Sequence, residues 1–276
     1  MQRNELKTIT DQFKPSERMP VLFLGHGSPM NAITENEFVA QFRKLGNEIP
    51  KPQAILCVSA HWETKGTHVT AMETPRTIHD FGGFPPALFA VQYPTPGSPE
   101  LAVETQQLIT STTVELDQTW GLDHGAWSVV KHLYPKADVP MVELSLDKDL
   151  SPTQHYALAK ELGALRDKGV LIIGSGNLVH NLRLVDWKRI NDAFGFNWAL
   201  EAQEIMNNAI LSGDHQAMMN YAKLGSAVQL AIPTPEHFLP LLYTLALQQP
   251  GEQARLFNDT PVGGAATMTS VKIAMD

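Results

Sequence analysis

Ten histidines are spread along the chain, and three of them follow runs of one kind. His26 comes directly after "VLFLG" (21–25), His61 directly after "AILCVSA" (54–60), and His180 four residues after "VLIIGSG" (170–176). Neutral imidazole is a common ligand for iron and zinc. Three histidines released from the ends of three apolar runs therefore raise a metal centre as a hypothesis. His124 stands in "GLDHGAW" between two glycines, a turn-like setting. His237 stands in "TPEHFLPLLY", beside Glu236. Glycines next to His26 and His124 let the backbone turn sharply and leave room for a ligand. His68, His132, His155 and His215 have no comparable placement, and His79 lies in the unusual loop "IHDFGGFP".

Other chemistries find weaker support. There is no H-E-x-x-H, no dinucleotide fingerprint and no P-loop. "GHGSP" lacks the G-x-S-x-G order of a nucleophile elbow, which leaves Ser28 a poor nucleophile. "GSGN" (174–177) has the form of a phosphate-binding turn but no lysine follows it. The one cysteine, Cys57, sits inside an apolar run and reads as a small buried hydrophobe in a reducing, cytoplasmic setting.

The elements that must hold these histidines are legible as patterns. The runs 21–25, 54–60, 139–146 and 170–176 are continuously apolar, which suits strands buried on both faces. Helix signals lie between them. Ser98 and Pro99 are placed as N-cap and first helical residue, and Ser151, Pro152 and Gln154 form a capping box ahead of a helix that Gly169 would end. A long helix is predicted over 186–211. Another is predicted from Thr234 as N-cap with Pro235 first, although Pro240 argues for a later start. That start would set His237 in a first helical turn, where the helix dipole favours the neutral ring. Residues 265–275 predict a last strand.

Strands alternating with helices predict an α/β fold. It should be a three-layer single domain, 1–276, with a central, largely parallel (mixed) sheet flanked by helices. In such sheets ligands bind beyond the carboxyl ends of the strands, where the histidines fall. The chain is 43% hydrophobic and carries 29 acidic against 21 basic residues, for a net charge of -8. No nucleic-acid partner is expected of so acidic a chain. No run reaches the roughly 20 apolar residues of a membrane span, and the N-terminal twenty residues lack the apolar core of a signal peptide. An exposed apolar face cannot be told from a buried one in sequence, so no oligomeric state is assigned.

Seven blocks carry a resemblance. "FLGHGSPMNAI", "VSAHWET", "TIHDFGGFPPALF", "YPTPGSPELA", "GLDHGAWSVVKHLYP", "GSGNLVHNL" and "TPEHFLPLLY" resemble the class III extradiol ring-cleavage dioxygenases, and within them the bacterial and plant 4,5-DOPA dioxygenase branch. The resemblance implies a non-haem Fe(II) enzyme that uses O2 to open a catechol ring beside its two hydroxyls. L-DOPA, by 4,5-cleavage, or a related catechol is the implied substrate. It implies His26 and His61 as metal ligands and a third ligand from "TPEH", taken as His237 with Glu236 as the alternative. His180 matches an acid/base residue that can also become a fourth ligand. His124 matches a second catalytic histidine. A protein ligand set of histidines alone suits tetrahedral zinc once His180 joins, so Zn(II) is expected in purified protein and Fe(II) in turnover. His79, Phe81 and Phe84 are the candidate substrate contacts, with Arg76 and Asp80 as further candidates for the amino-acid end. The alternative reading of the same histidines is a zinc-dependent hydrolase that activates water on the metal.

Overall fold

The structure is a computed structural model, and it describes residues 13–275. Most of the polar N-terminal segment therefore lies outside the described residues. Among the described residues an eight-stranded sheet runs in the order β4-β3-β5-β2-β6-β1-β10-β7. Its strands are β1 (Val21–Gly25), β2 (Ala54–Thr64), β3 (Thr67–Thr70), β4 (Val114–Asp117), β5 (Met141–Asp147), β6 (Val170–Gly176), β7 (Gln253–Phe257) and β10 (Ser270–Ala274). Two short strands, β8 (Pro261–Val262) and β9 (Ala266–Thr267), pair apart from it. The centre, β5-β2-β6-β1, is parallel throughout. β3 on one side and β10 on the other run antiparallel to it.

The continuous apolar runs form this centre because both of its faces are covered. Val21 and Phe23 of β1, with Leu56 and Val58 of β2, enter one core; Leu22, Leu24, Ile55 and Cys57 enter the other. Successive strand residues point to opposite faces, so neither face tolerates a polar alternation. The first core packs against helices Pro99–Leu108, Pro152–Lys160, Asn197–Ser212 and Leu239–Ala246. The second packs against Glu37–Glu48 and His124–Leu133. The expected three-layer α/β arrangement is the one observed, and Cys57 is a fully buried free thiol.

Several expected boundaries shift. Ser98 and Ser151 cap their helices, the second through a complete capping box. The second helix breaks after Lys160, resumes only at Gly163–Arg166, and Gly169 turns the chain at φ +70. Residues 186–196 are not helical beyond a 3-10 turn at Trp187–Arg189; the helix starts at Asn197. The segment from Thr234 is likewise a turn, and the helix opens at Leu239 with Pro240 in its first turn. Proline has no N–H to give and is tolerated there. His237 thus precedes the helix. Residues 265–275 divide into β9 and β10.

Candidate metal centre

Five of the predicted histidines meet at the carboxyl edge of the parallel strands. His26 leaves β1, and its N–H donates to the Gly176 carbonyl at the end of β6. His61 does not follow β2 but lies inside it, where the pairing with β5 shifts register between Val58 and Glu63. Such an irregularity re-aims side chains and explains why a strand residue faces the rim. His124 is the first residue of its helix rather than part of a turn; Asp123 caps that helix by accepting from Ala126 N. His180 pairs with Ala266 in an isolated bridge after β6.

Ring centroids of His26 lie 5.0 Å from His61, 5.6 Å from His124 and 5.3 Å from His237. His61 and His124 are 3.9 Å apart, and His180 stacks on His237 at 3.6 Å. One nitrogen of each of His26, His61 and His237 falls within 4.8 Å of the other two. The Glu236 carboxylate groups instead with His180 and His237. It accepts from Thr234 Oγ1 at 2.9 Å and lies 3.1 Å from His237 Nδ1.

The outward nitrogens of His26, His61, His124 and His237 are engaged, the last by Glu236. His26 Nδ1 is 3.0 Å from Ser175 Oγ, whose own proton goes to the Gly125 carbonyl. His124 Nδ1 is 2.8 Å from Asp80 Oδ2, and His61 Nδ1 is 3.3 Å from the same oxygen. With Nδ1 facing a partner that accepts, each Nε2 keeps its lone pair. The Nε2 atoms of His26 and His61 then face one another at 3.2 Å with no donor between them. Two lone pairs so close repel, and a cation between them removes the conflict. The donors are imidazoles, a set suited to iron or zinc. The site therefore fits a divalent metal.

Burial first, then neighbouring groups, keep His26, His61, His180 and His237 neutral. Burial, then the neighbouring imidazoles His61 and His237, push His26 far below the usual histidine range. Burial and His124 bring His61 to about 3. Burial brings His180 to about 4 against the pull of Glu236. For His237, which precedes the helix rather than lying in its first turn, the causes are burial and then His180. Burial raises the Asp80 carboxyl, but the hydrogen bond from His124 and the nearby imidazoles outweigh it and hold Asp80 below its ordinary value.

The remaining candidates divide. Phe81 meets His124 edge-on at 5.4 Å, and Phe84 meets Phe81 at 5.4 Å. His79 Nε2 is bonded to the Val91 carbonyl at 2.9 Å, which anchors its loop. Arg76 Nε donates to the Trp120 carbonyl away from the cluster. Ser28 caps a 3-10 turn. The glycines of "GSGN" serve packing, not phosphate: a Cβ on Gly176 would come 2.1 Å from the His237 carbonyl oxygen. Gly125 is needed for closeness too, since its Cβ would fall 2.5 Å from Ser59 Oγ and 2.9 Å from His61 Cδ2. Gly27, at φ +61, does make a turn. The sequence reading missed Ser175 altogether, because its role needs β6 to lie between β1 and β2.

An α/β sheet carrying a metal-competent histidine cluster at its carboxyl edge defines a broad class of metalloenzyme-like proteins. Residues 20–247 match the family model described as the catalytic LigB subunit of aromatic ring-opening dioxygenase, and the chain belongs to that family. It is an extradiol ring-cleavage dioxygenase of the 4,5-DOPA dioxygenase-like kind. It is 45% identical over 269 residues to the 4,5-DOPA dioxygenase extradiol of Escherichia coli K12, covering 96% of this chain and 98% of that one. The beet (Beta vulgaris) protein of the same name is 36% identical over 256 residues, covering 91% and 94%. The crystal structure of an uncharacterized Escherichia coli K12 protein superposes with a TM-score of 0.81 at 40% identity, covering 93% of this chain and all 100% of that one. The hydrolase alternative gains nothing from these matches. Among the described residues, no helix is long and apolar enough to cross a membrane.

Proposed function

We propose that the whole chain, 1–276, is one catalytic domain that cleaves L-DOPA or a related catechol by 4,5-extradiol opening. The observation that carries this is that His26, His61 and His237 each bring a ring nitrogen within 4.8 Å of the other two. His26, His61 and His237 would hold the metal, with His180 able to join as a fourth ligand. When bound, Fe(II) supplies the Lewis-acid and redox centre at which a catechol and O2 are brought together. His124 Nε2 takes a hydroxyl proton from the arriving catechol, because its other nitrogen is committed to Asp80. His180, neutral at pH 7, is the second group that can hold or return a proton. Phe81, edge-on to His124 with Phe84 behind it, would flank the bound ring and exclude water from it. Glu236 orients His237 from outside rather than acting as a ligand. A cytoplasmic setting fits the lone buried thiol of Cys57.

The test is anaerobic reconstitution with Fe(II), then L-DOPA and air. Oxygen uptake with a yellow ring-opened product is expected. The His124→Ala protein should keep its metal and turn over about 10²–10⁴-fold more slowly. Purified protein should carry Zn(II). Full activity with zinc alone, after iron is removed, would sink the iron assignment, and no oxygen uptake with any catechol would sink the substrate class.

A further inference from the structure

We propose that Asp80 is a positioning residue that holds His61 and His124 in register through one carboxylate, fixing the ring proton of His124 on Nδ1. It rests on the reading of His61 as ligand and His124 as proton acceptor. Asp80 Oδ1 accepts the backbone N–H of His124 at 2.8 Å, while Oδ2 lies 2.8 Å from His124 Nδ1 and 3.3 Å from His61 Nδ1. The carboxylate grips His124 at two points, so the ring can neither flip nor swing without breaking a bond. The same Oδ2 reaches the far nitrogen of the neighbouring ring. A carboxylate behind a histidine sets its tautomer and raises its basicity, whether the histidine binds a metal or moves a proton. Here one carboxylate serves both.

The loop that carries Asp80 is built to hold still. Trp127 Nε1 donates to the Ile78 carbonyl at 2.8 Å, Ile78 N donates to Leu122 O at 2.7 Å, and His79 bonds to Val91 O. These contacts tie the two residues before Asp80 to Trp127 in the helix that starts at His124, to Leu122 just ahead of it, and to Val91. Phe81 then covers His124 edge-on. The Asp80 side chain is 16% exposed and the His124 side chain 6%. An acid so placed faces two imidazoles, not an incoming amino-acid group, which is the role the sequence suggested for it.

Asp80→Asn separates the possibilities. The amide oxygen can still accept the His124 N–H, but the NH2 then faces Nδ1 and drives the ring proton to Nε2. Long-range 15N–1H correlation of the histidine rings should show Nδ1–H for His124 in the wild type and Nε2–H in the variant. The variant's kcat should fall about 10- to 100-fold with KM nearly unchanged, and its Zn(II) affinity should fall by a similar factor. The loss should be equal for L-DOPA and for 4-methylcatechol, which has no amino-acid group. Nδ1–H retained in Asp80→Asn overturns the proposal, as does a loss confined to KM for L-DOPA. Unchanged Zn(II) affinity overturns the His61 half. If the variant does not fold, the wild type alone decides, since Nε2–H on His124 there is fatal. A wild type that takes up neither Fe(II) nor Zn(II) defeats the ligand reading, while the His124 tautomer still decides the role of Asp80.

Discussion

The two ends of the sheet each bury a polar cluster, and they are finished differently. At the amino end, Arg166, Met19 and Glu252 stand just before β6, β1 and β7. The Arg166 guanidinium donates to Met19 O, Leu247 O and both oxygens of Glu252, and the two charged side chains are each 1% exposed. All three guanidinium nitrogens are engaged. At the carboxyl end the partners lie only on the outer side of the rings, and the inner nitrogens are left to one another. The first cluster is closed and the second is open. Burial alone does not mark a site; unanswered lone pairs in a buried cluster do.

The comparison breaks most sharply on His26. His26→Ala should abolish metal retention and with it all oxygen uptake, as should His61→Ala, because a two-nitrogen remnant holds the ion poorly. The metal-free variant should unfold within about 1–2 kcal/mol of the metal-free wild type, the cost of a few unmade hydrogen bonds. Metal analysis beside urea denaturation reads both quantities. Full metal occupancy in His26→Ala would show the cluster to be structural.

Arg166→Met is the converse. It strands the buried Glu252 carboxylate, and breaking a buried pair in this way costs about 3–5 kcal/mol. Urea denaturation should show that loss, while kcat per folded molecule stays at the wild-type value. A drop in kcat without a drop in stability would mean that the two ends are coupled.

How much of this was legible beforehand follows the same division. β1 and β6 matched their apolar runs residue for residue, because strands covered on both faces need nothing but apolar side chains. The two serine caps were legible because a cap is a local interaction. The misjudged boundaries fall where tertiary contacts decide. His61 stays inside β2 through a register shift with a distant strand, and residues 186–196 give up helix partly for a bridge between Gly195 and Gly264. Three histidines could be singled out from strand ends, His124 from its glycine-flanked segment and His237 from a helix start, and the family resemblance gave the five their roles. What no local pattern carries is which group stands behind each ring. Asp80 was considered for the substrate while its contacts with His124 and His61 went unforeseen, and Ser175 was hidden in a turn read for phosphate.

Ser175 gives the smallest and most discriminating test of the open end. Its single proton goes to the Gly125 carbonyl, so toward His26 it can only accept. That forces the His26 proton onto Nδ1 and the lone pair onto Nε2, toward the metal. Ser175 also joins β6 to the helix that begins at His124, through Gly125. In Ser175→Ala the His26 Nδ1–H is buried without a partner, and the ring loses its preference for one tautomer. Metal affinity should fall about 10- to 100-fold, while His124 keeps its own tautomer through Asp80. Competitive titration of Zn(II) against a chelator measures the first and nitrogen NMR the second. Unchanged affinity would show that the ring is held by packing among its neighbours, and that the open cluster needs less support from behind than its hydrogen bonds suggest.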